Sequence, residues 1–244
     1  MSPSFAIVLP ARYGSTRFPG KPLATISGKP LIEWVYRGAL LVRGAERVVV
    51  ATDDDRIVDA VRAFGGQVIM TRDDHVTGTD RVAEAARKLR SPIVVNLQGD
   101  EPVFDPRMVE RMVDRLQRDP SVDIVTACHQ IHSVKEFQST HVVKVALDRR
   151  GHAMYFSRTP IPEGGLATGT AYRHVGVYAF RREALARFAR LPRSPLEIAE
   201  RLEQLRALEN GMRIGVVETK RATVGVDVPA DIKNVERVVR VSLD

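Results

Sequence analysis

The segment PARYGSTRFPGKP, residues 10–22, decides how the rest of the chain is interpreted. It follows the apolar run FAIVL, residues 5–9, whose length and β-branched residues predict a buried strand of a parallel sheet. The segment then forms a loop at the carboxyl end of that strand, where ligands bind in open α/β sheets. Its glycines let backbone N–H groups approach a ligand, and its arginines and lysine suit phosphate oxygens. We therefore predict a polyphosphate site in this loop.

Two common phosphate-binding motifs do not fit the loop. A Walker A loop has four residues between its glycines, followed by Lys and then Ser or Thr. Here five residues separate Gly14 from Gly20, and Pro22 follows Lys21. A G-x-G-x-x-G fingerprint is also missing after the first strand, so NAD or FAD binding has no support. The alternative without any ligand is a solvated basic loop.

Length and composition limit the class of protein. The 244 residues suffice for one large α/β domain, and 44% hydrophobic with 27% charged residues is typical of a globular protein. No apolar run approaches a membrane span and no signal pattern is present, so we expect a cytoplasmic protein without a membrane partner. The single Cys128 permits no internal disulfide, and its apolar neighbours predict a buried structural thiol.

The net charge of +7 raises the question of nucleic-acid binding. The arginines, however, alternate with carboxylates in residues 81–90 and 107–118, which is typical of solvated helix faces. We therefore expect anionic small molecules, and no nucleic acid, as the partners of the excess positive charge.

The order of apolar segments predicts the fold class. Up to about residue 118, strand-like runs alternate with helical patterns, which predicts a doubly wound, mostly parallel α/β sheet. Beyond that point, strands at 124–131, 142–147 and 153–156 predict a small β-rich extension, with a hairpin turn at 148–151. The last third is helical, with one continuous helix from Pro195 past Leu208.

A second polar loop follows the third predicted strand. Residues 71–81, TRDDHVTGTDR, carry hydroxyls, a glycine and arginines just before a helix, and are placed to contact a base or ribose. The alternative is that Thr79 is only an N-cap and Arg72 only a surface charge. His75 has no partner at useful spacing and is interpreted as a local hydrogen-bonding residue.

Several carboxylates could serve either as metal ligands or as N-caps of helices. Residues 53–55 are three consecutive aspartates before a predicted helix, where caps are favoured. Asp100 lies in QGDEP, residues 98–102, after the fourth strand, and is the candidate Mg²⁺ ligand, since Asp105 already suits the next helix cap. Asp227 stands just before the closing helix, and the residues alone favour an N-cap there.

The first loop fills every fixed position of the pattern A-R-x-x-S-x-R-x-x-x-K-P and resembles the signature loop of sugar nucleotidyltransferases. Over nearly its whole length the chain resembles the 3-deoxy-manno-octulosonate cytidylyltransferase (CMP-Kdo synthetase) family, which has the glycosyltransferase-A-like nucleotidyltransferase fold. The segments that carry this resemblance are 10–22, 71–81, 96–102, 155–158, 174–178, 195–206 and 225–227.

The resemblance implies transfer of CMP from CTP to the 2-hydroxyl of 3-deoxy-D-manno-octulosonate (Kdo), with release of pyrophosphate, for lipopolysaccharide biosynthesis. The implied ligands of the nucleotide are Arg12, Gly14, Ser15, Arg17, Lys21, Arg72, Asp74, Gly78 and Gln98. The implied ligands of the sugar acid are Gln98, Arg158, His174, Tyr178, Glu203 and Gln204. Asp100 and Asp227 would hold Mg²⁺, in place of the cap favoured for Asp227, and would act in catalysis with Lys21 and Arg17.

No internal repeat or low-complexity linker divides the chain, so we predict one domain with three parts. Residues 1–120 form a nucleotide-binding half, residues 121–181 a β-rich extension for sugar binding and dimerisation, and residues 182–244 a helical closing part with the second metal ligand. A homodimer is expected.

The chain departs from the family pattern at two places. The segment between Arg158 and His174 is short and glycine-rich, and Val228 replaces a threonine often found after the metal aspartate. An 8-amino analogue of Kdo or an acylneuraminate is therefore an alternative acceptor. Outside this class, the alternative is a non-catalytic nucleotide-binding or nucleic-acid-binding protein.

Overall fold

The structure is a computed structural model that describes residues 5–14, 18–220 and 223–241, without the side chains of 239–241. In chain order its strands are β1 (Phe5–Pro10), β2 (Thr25–Ile26), β3 (Lys29–Pro30), β4 (Ala45–Thr52), β5 (Val68–Met70), β6 (Ile93–Asn96), β7 (Ile124–Gln130), β8 (Lys144–Leu147), β9 (Ala153–Ser157), β10 (Tyr172–Arg181) and β11 (Ile214–Glu218).

The α-helices alternate with these strands, most regularly in the first half of the chain. They are α1 (Leu31–Leu40), α2 (Asp55–Ala63), α3 (Gly78–Ala86), α4 (Pro106–Arg118), α5 (Val134–Gln138), α6 (Gly165–Thr168), α7 (Arg182–Phe188), α8 (Pro195–Glu200), α9 (Gln204–Glu209) and α10 (Ile232–Val241). Single 3₁₀ turns occur at Lys21–Leu23 and Pro229–Asp231. Within the described ranges, no helix is long and apolar enough to cross a membrane.

The chain divides into two compact units. The first consists of residues 1–110 with 223–244, and the second of residues 111–222. The closing part predicted for residues 182–244 is therefore shared between the two units.

The first unit is built on a parallel sheet with the strand order β6-β1-β4-β5. All six residues of β1 are buried, which explains the uninterrupted apolar run at the start of the sequence. The chain runs from β1 outward to β4 and β5, and then returns to β6 on the other side of β1. The carboxyl ends of β1 and β6 therefore form a topological switch point, where ligands bind in such sheets.

The second unit contains a mixed sheet. β7 pairs in parallel with β11 and antiparallel with β10, while β8 and β9 form an antiparallel hairpin. In the turn of this hairpin, Asp148 N–H donates to the carbonyl of His152 and Gly151 N–H donates to that of Asp148, which confirms the turn predicted at 148–151. The helices and the mostly parallel strands together confirm the predicted α/β class.

Cys128 on β7 is buried, and burial raises the pKa of its thiol to about 12. This confirms the prediction of a buried structural thiol.

The prediction of one continuous helix after Pro195 is wrong. α8 ends at Glu200, Arg201 takes a left-handed conformation with φ 56°, and α9 begins at Gln204. Glu197 on α8 and Arg206 on α9 are both buried and form a bidentate ion pair with N–O distances of 2.8 and 2.7 Å. The spacing of leucines is helical on both sides of the break, so periodicity alone does not reveal it.

Candidate active site

A cleft of about 380 Å³ lies at the carboxyl edge of the sheet in the first unit, a volume typical of small-molecule sites. The loop after β1 contributes Pro10, Ala11, Arg12, Lys21 and Pro22. The loop after β5 and the start of α3 contribute His75, Val76, Thr77, Gly78 and Arg81. The loop after β6 contributes Gln98, Gly99 and Asp100. Three loops that are far apart in sequence thus meet at the switch point.

Four of the predicted nucleotide ligands line this cleft, namely Arg12, Lys21, Gly78 and Gln98. Gly14 is exposed and does not line it. Ser15 and Arg17 lie outside the described residues. The role of these three residues toward the triphosphate stays a prediction.

Arg72 and Asp74 are not among the residues that line the cleft. Both side chains are exposed, and Arg72 Nε lies 3.2 Å from Asp74 Oδ1. Arg72 N–H also donates to the carboxylate of Glu84 on α3, at 3.3 Å. Their predicted contact with cytidine stays a prediction.

Lys21 is a largely buried cation in the loop that follows β1. Its side chain is 13% exposed, and Nζ donates to the Asp100 carboxylate and, at 3.0 Å, to the carbonyl oxygen of Val226. Gly20 precedes it with φ 70°, a conformation that glycine adopts without strain, and a 3₁₀ turn then begins at Lys21. The turn therefore holds the ammonium group between two oxygen acceptors.

Val226, the residue before Asp227, connects this part of the chain to Asp100. Val226 N–H donates to the carbonyl oxygen of Asp100 at 2.9 Å. The carboxylate of Asp231 accepts the N–H groups of Asp227 (2.8 Å) and Val228 (2.9 Å). The N-cap position of the 3₁₀ turn at Pro229–Asp231 is occupied by Val228, so the N-cap interpretation of Asp227 is wrong.

The oxygen donors in this corner fit a Mg²⁺ site. In the part of the chain that the structure describes, no three His, Cys, Asp or Glu side chains could hold a metal together. The pair Asp100 and Asp227 stays a prediction; as ligands of Mg²⁺ they would supply two carboxylates and leave the other positions to phosphates and water, as Mg²⁺ commonly requires. The contact of the Lys21 ammonium with Asp100 and Val226 is direct evidence that these oxygens stabilise a cation.

Two of the other predicted aspartate caps are confirmed. Asp54 accepts the N–H of Arg56 at the start of α2, and Asp105 accepts the N–H of Arg107 at the start of α4, each at 3.0 Å. Asp53 does not cap a helix through a described contact; it pairs with the buried Arg81 at 2.6 Å.

The loop after β5 is held by its own side chains. Thr77 is the N-cap of α3 in a capping box with Asp80, so the alternative that placed the cap at Thr79 is wrong. His75 bonds through Nε2 to Glu84, which confirms a local hydrogen-bonding role. His75 also lines the cleft, a position that sequence reasoning missed although it had singled out this loop.

Gln98 has an orientation fixed by a short chain of amides and hydroxyls. Gln98 Nε2 donates to Asn96 Oδ1 at 3.3 Å, and Asn96 Nδ2 donates to Thr79 Oγ1 at 3.0 Å. Asn96 and Thr79 are fully buried. With its amide nitrogen engaged in this way, Gln98 presents its carbonyl oxygen toward Gly78 at the cleft wall.

Gly99 is required by a close approach of two backbone segments. A Cβ atom at Gly99 would lie 2.7 Å from the carbonyl oxygen of Pro10, and backbone cannot yield as a side chain can. We expect Gly99→Ala to displace Asp100 and to lower kcat/KM by about 10²-fold, the size of effect that a misplaced catalytic group produces. The measurement is steady-state kinetics with a thermal melt. Gly28→Ala is the control for glycine removal, because its Cβ position is open, although its φ of 82° costs some stability. Full activity of Gly99→Ala would contradict the geometry.

The predicted sugar ligands other than Gln98 lie in the second unit. Arg158 follows β9, and its guanidinium donates to the carbonyls of Glu200 (Nε, 3.1 Å) and Thr140 (Nη1, 3.2 Å). The buried Lys144 donates to the carbonyl oxygens of Arg158, Ser139 and Val142, and so fixes the backbone of Arg158. Nη2 of Arg158 has no partner among the described residues, which leaves donors for a carboxylate.

His174 and Tyr178 lie on β10 with their rings 5.5 Å apart. Phe156 on β9 meets the His174 ring edge-on at 5.0 Å. Burial, helped by the charge of Arg173, lowers the pKa of His174 to about 3, so the ring is neutral near pH 7.

Gln204 opens α9 and is 5% exposed, and Glu203 precedes it. Among the described residues, the buried Nε2 of Gln204 has no hydrogen-bond partner. A buried donor without an acceptor costs about 1–3 kcal/mol. A ligand oxygen that accepted from Nε2 of Gln204 would remove this cost.

A parallel sheet with a basic, carboxylate-containing cleft at its switch point is the architecture of a nucleotidyltransferase. Residues 6–214 match the model of the cytidylyltransferase family. The chain belongs to the family of 3-deoxy-manno-octulosonate cytidylyltransferases, which confirms the resemblance found in the sequence.

Three relatives support this assignment. The 3-deoxy-manno-octulosonate cytidylyltransferase of Syntrophotalea carbinolica is 49% identical over 97% of this chain and 99% of its own length. The protein of the same name from Escherichia coli is 49% identical over 94% of this chain and 93% of its own. A solved structure of CMP:2-keto-3-deoxy-manno-octonic acid synthetase complexed with CTP superposes with a TM-score of 0.93 at 47% identity, and covers 98% of this chain and 99% of that one.

Proposed function

We propose that the protein transfers CMP from CTP to the 2-hydroxyl of Kdo and releases pyrophosphate, supplying CMP-Kdo for lipopolysaccharide biosynthesis. The observation that carries the proposal is the Lys21 ammonium beside the Asp100 carboxylate, in a cleft at the switch point of the sheet. The names of the relatives support Kdo as acceptor, and the solved relative that was complexed with CTP supports the nucleotide.

The cleft provides the charges that a triphosphate requires. Arg12 and Lys21 bring two positive charges to the loop after β1. Lys21 is bonded to Asp100, and phosphate oxygens would compete for its ammonium group when CTP binds. Lys21 would then stabilise the charge that develops on the departing pyrophosphate, together with Arg17.

Asp100 and Asp227 would hold Mg²⁺ at the same corner of the cleft. When bound there, the ion would activate the acceptor hydroxyl and offset phosphate charge as a Lewis acid. A second Mg²⁺ would enter with the triphosphate. Asp100 has a second role in this proposal, because its carboxylate places Lys21 before the nucleotide arrives.

The sugar acid would be bound by side chains of complementary chemistry. Arg158 offers free donors to the carboxylate of Kdo. His174, Tyr178, Glu203, Gln204 and Gln98 would bind its hydroxyl groups. The buried Nε2 of Gln204 supports this part of the proposal, because a ligand oxygen would satisfy it.

The test is pyrophosphate release from each of the four nucleoside triphosphates with Mg²⁺, with and without Kdo. We expect release only when CTP and Kdo are both present. Release with the 8-amino analogue or an acylneuraminate, but not with Kdo, would change the acceptor and keep the reaction. CTP binding without release for any acceptor would favour a non-catalytic protein, as would oligonucleotide binding with steep salt dependence.

The proposal includes a homodimer formed through the β-rich extension and a reaction in the cytoplasm. The family resemblance supports the dimer; within the extension the side chain of Met154 is 64% exposed, so a charge introduced there tests contact with a second subunit. Sedimentation equilibrium of the wild type and of Met154→Glu distinguishes a dimer through this surface from a monomer.

A further inference from the structure

Thr126 lies on β7 opposite an irregularity in β10. The register pairs Val175 with Ala127 and Tyr178 with Thr126, so that two residues of β10 have no counterpart on β7. Such a bulge locally disrupts the ladder of the two strands. The fully buried Thr126 hydroxyl lies 3.1 Å from the carbonyl oxygen of Val175 and 2.8 Å from that of Val177.

The same hydroxyl lies 3.0 Å from Nε2 of His174. A threonine hydroxyl has one proton to donate, and carbonyl oxygens can only accept. All three contacts are satisfied when the proton of Thr126 points toward the carbonyls of Val175 and Val177 and the hydroxyl oxygen accepts from His174. In that arrangement Nε2 of His174 carries the ring proton, which leaves the lone pair on Nδ1.

The surroundings of His174 keep the ring in one place and in one charge state. Phe156 packs edge-on against it and Tyr178 packs beside it. Burial opposes a second proton, and the nearby guanidinium of Arg173 does so as well. Nδ1 has no hydrogen-bond partner among the described residues. It is therefore available as an acceptor in a neutral ring.

We propose that Thr126 is a positioning residue: it fixes the Nε2–H tautomer of His174, and so presents Nδ1 as the acceptor for a hydroxyl group of the sugar acid. The identity of this ligand rests on the proposed function, whereas the tautomer rests on the contacts of Thr126 alone. His174 thus discriminates in favour of a donor O–H and against a ligand group that only accepts, such as a carboxylate oxygen.

The tautomer is tested by ¹⁵N NMR of protein labelled at histidine, without any substrate. His174→Asn identifies the signals, since the chain contains six histidines. We expect wild-type His174 to give a protonated-nitrogen shift at Nε2 and an unprotonated one at Nδ1 at pH 7.5. Thr126→Val, which keeps the shape and removes the hydroxyl, should give a mixture of tautomers, and Thr126→Ser should restore the wild-type pattern. A wild-type ring protonated at Nδ1 alone, or at both nitrogens, would overturn the proposal.

The role toward the sugar is tested by kinetics of the same variants. Thr126→Val should raise KM for Kdo by about 3- to 10-fold, the worth of one hydrogen bond, with Kd for CTP unchanged. Thr126→Ser should restore KM, and Thr25→Val, at an exposed threonine of β2, should behave as wild type. An equal loss toward CTP and Kdo would indicate a general packing defect and overturn the positioning role.

The two proposals fail in different ways. If wild-type protein released no pyrophosphate with Kdo, the proposed function would fail while the NMR result on the tautomer still stood. If wild-type protein were active and Thr126→Val left both the tautomer and KM for Kdo unchanged, only the role of Thr126 would be wrong. Should the valine variant not fold, the wild-type spectrum and the serine variant still decide the tautomer.

Discussion

Asp100→Asn is expected to lower kcat with CTP and Kdo by about 10³-fold, because it removes a negative charge that two cations of the proposed reaction share. In the structure the carboxylate binds the ammonium of Lys21, and its backbone carbonyl binds Val226, the neighbour of Asp227. Asparagine preserves the size of the side chain and the backbone contact. The loss should therefore fall on catalysis and not on folding.

The measurement is pyrophosphate release as a function of Mg²⁺, with calorimetry of CTP binding. The asparagine variant should bind CTP within a few-fold of wild type while turnover collapses at every Mg²⁺ concentration. Asp105→Asn is the matched control, because Asp105 only caps α4 and asparagine is an equally good cap. If Asp100→Asn retained turnover within about five-fold, Asp100 would not be a ligand of the catalytic ion, since loss of even an outer-shell partner costs 10- to 100-fold.

Lys21→Ala is expected to lower kcat by about 10²- to 10³-fold, the usual effect of removing one electrostatic contact in an active site. The ammonium group belongs to a largely buried side chain, which is 13% exposed. The Asp100 side chain is 35% exposed, so water can solvate its carboxylate when the lysine is replaced by alanine. The fold should therefore persist in this variant.

The kinetic signature separates this effect from simple loss of binding. If Lys21 acts on the departing pyrophosphate, kcat should fall more than KM for CTP rises. Lys135→Ala, at an exposed lysine of α5, is the matched control for removal of one positive charge. Turnover of Lys21→Ala within a few-fold of wild type would show that the proposed role is wrong.

Local patterns predicted most of the first unit. The run at residues 5–9 became the fully buried β1, and the alternation of strands and helices became a parallel sheet with crossover helices. This worked because burial on both faces and βαβ connections leave a continuous apolar run for each strand. The break at Arg201 was not predictable in this way, since an ion pair between Glu197 and Arg206 stabilises a turn that the spacing of leucines does not report.

Caps were the part of the candidate site that local reasoning described least well. Thr79 and Asp227 both have residue types and positions that suit an N-cap, yet Thr77 caps α3 and Val228 occupies the N-cap position of the turn at Pro229–Asp231. Which of several neighbouring residues takes the N-cap position depends on backbone angles that are set by the whole loop.

The sequence by itself determined the class of fold, the family and the loop that carries Lys21, because each depends on residue types at fixed spacings along one segment. The tertiary structure alone decided that Lys21 meets Asp100, that Val226 brings Asp227 to the same corner, and that Thr126 holds the ring of His174. These contacts join segments separated by 48 to 205 positions, as for Thr126 with His174 and Lys21 with Val226. Their geometry follows from how the sheets and loops pack, which no local spacing encodes.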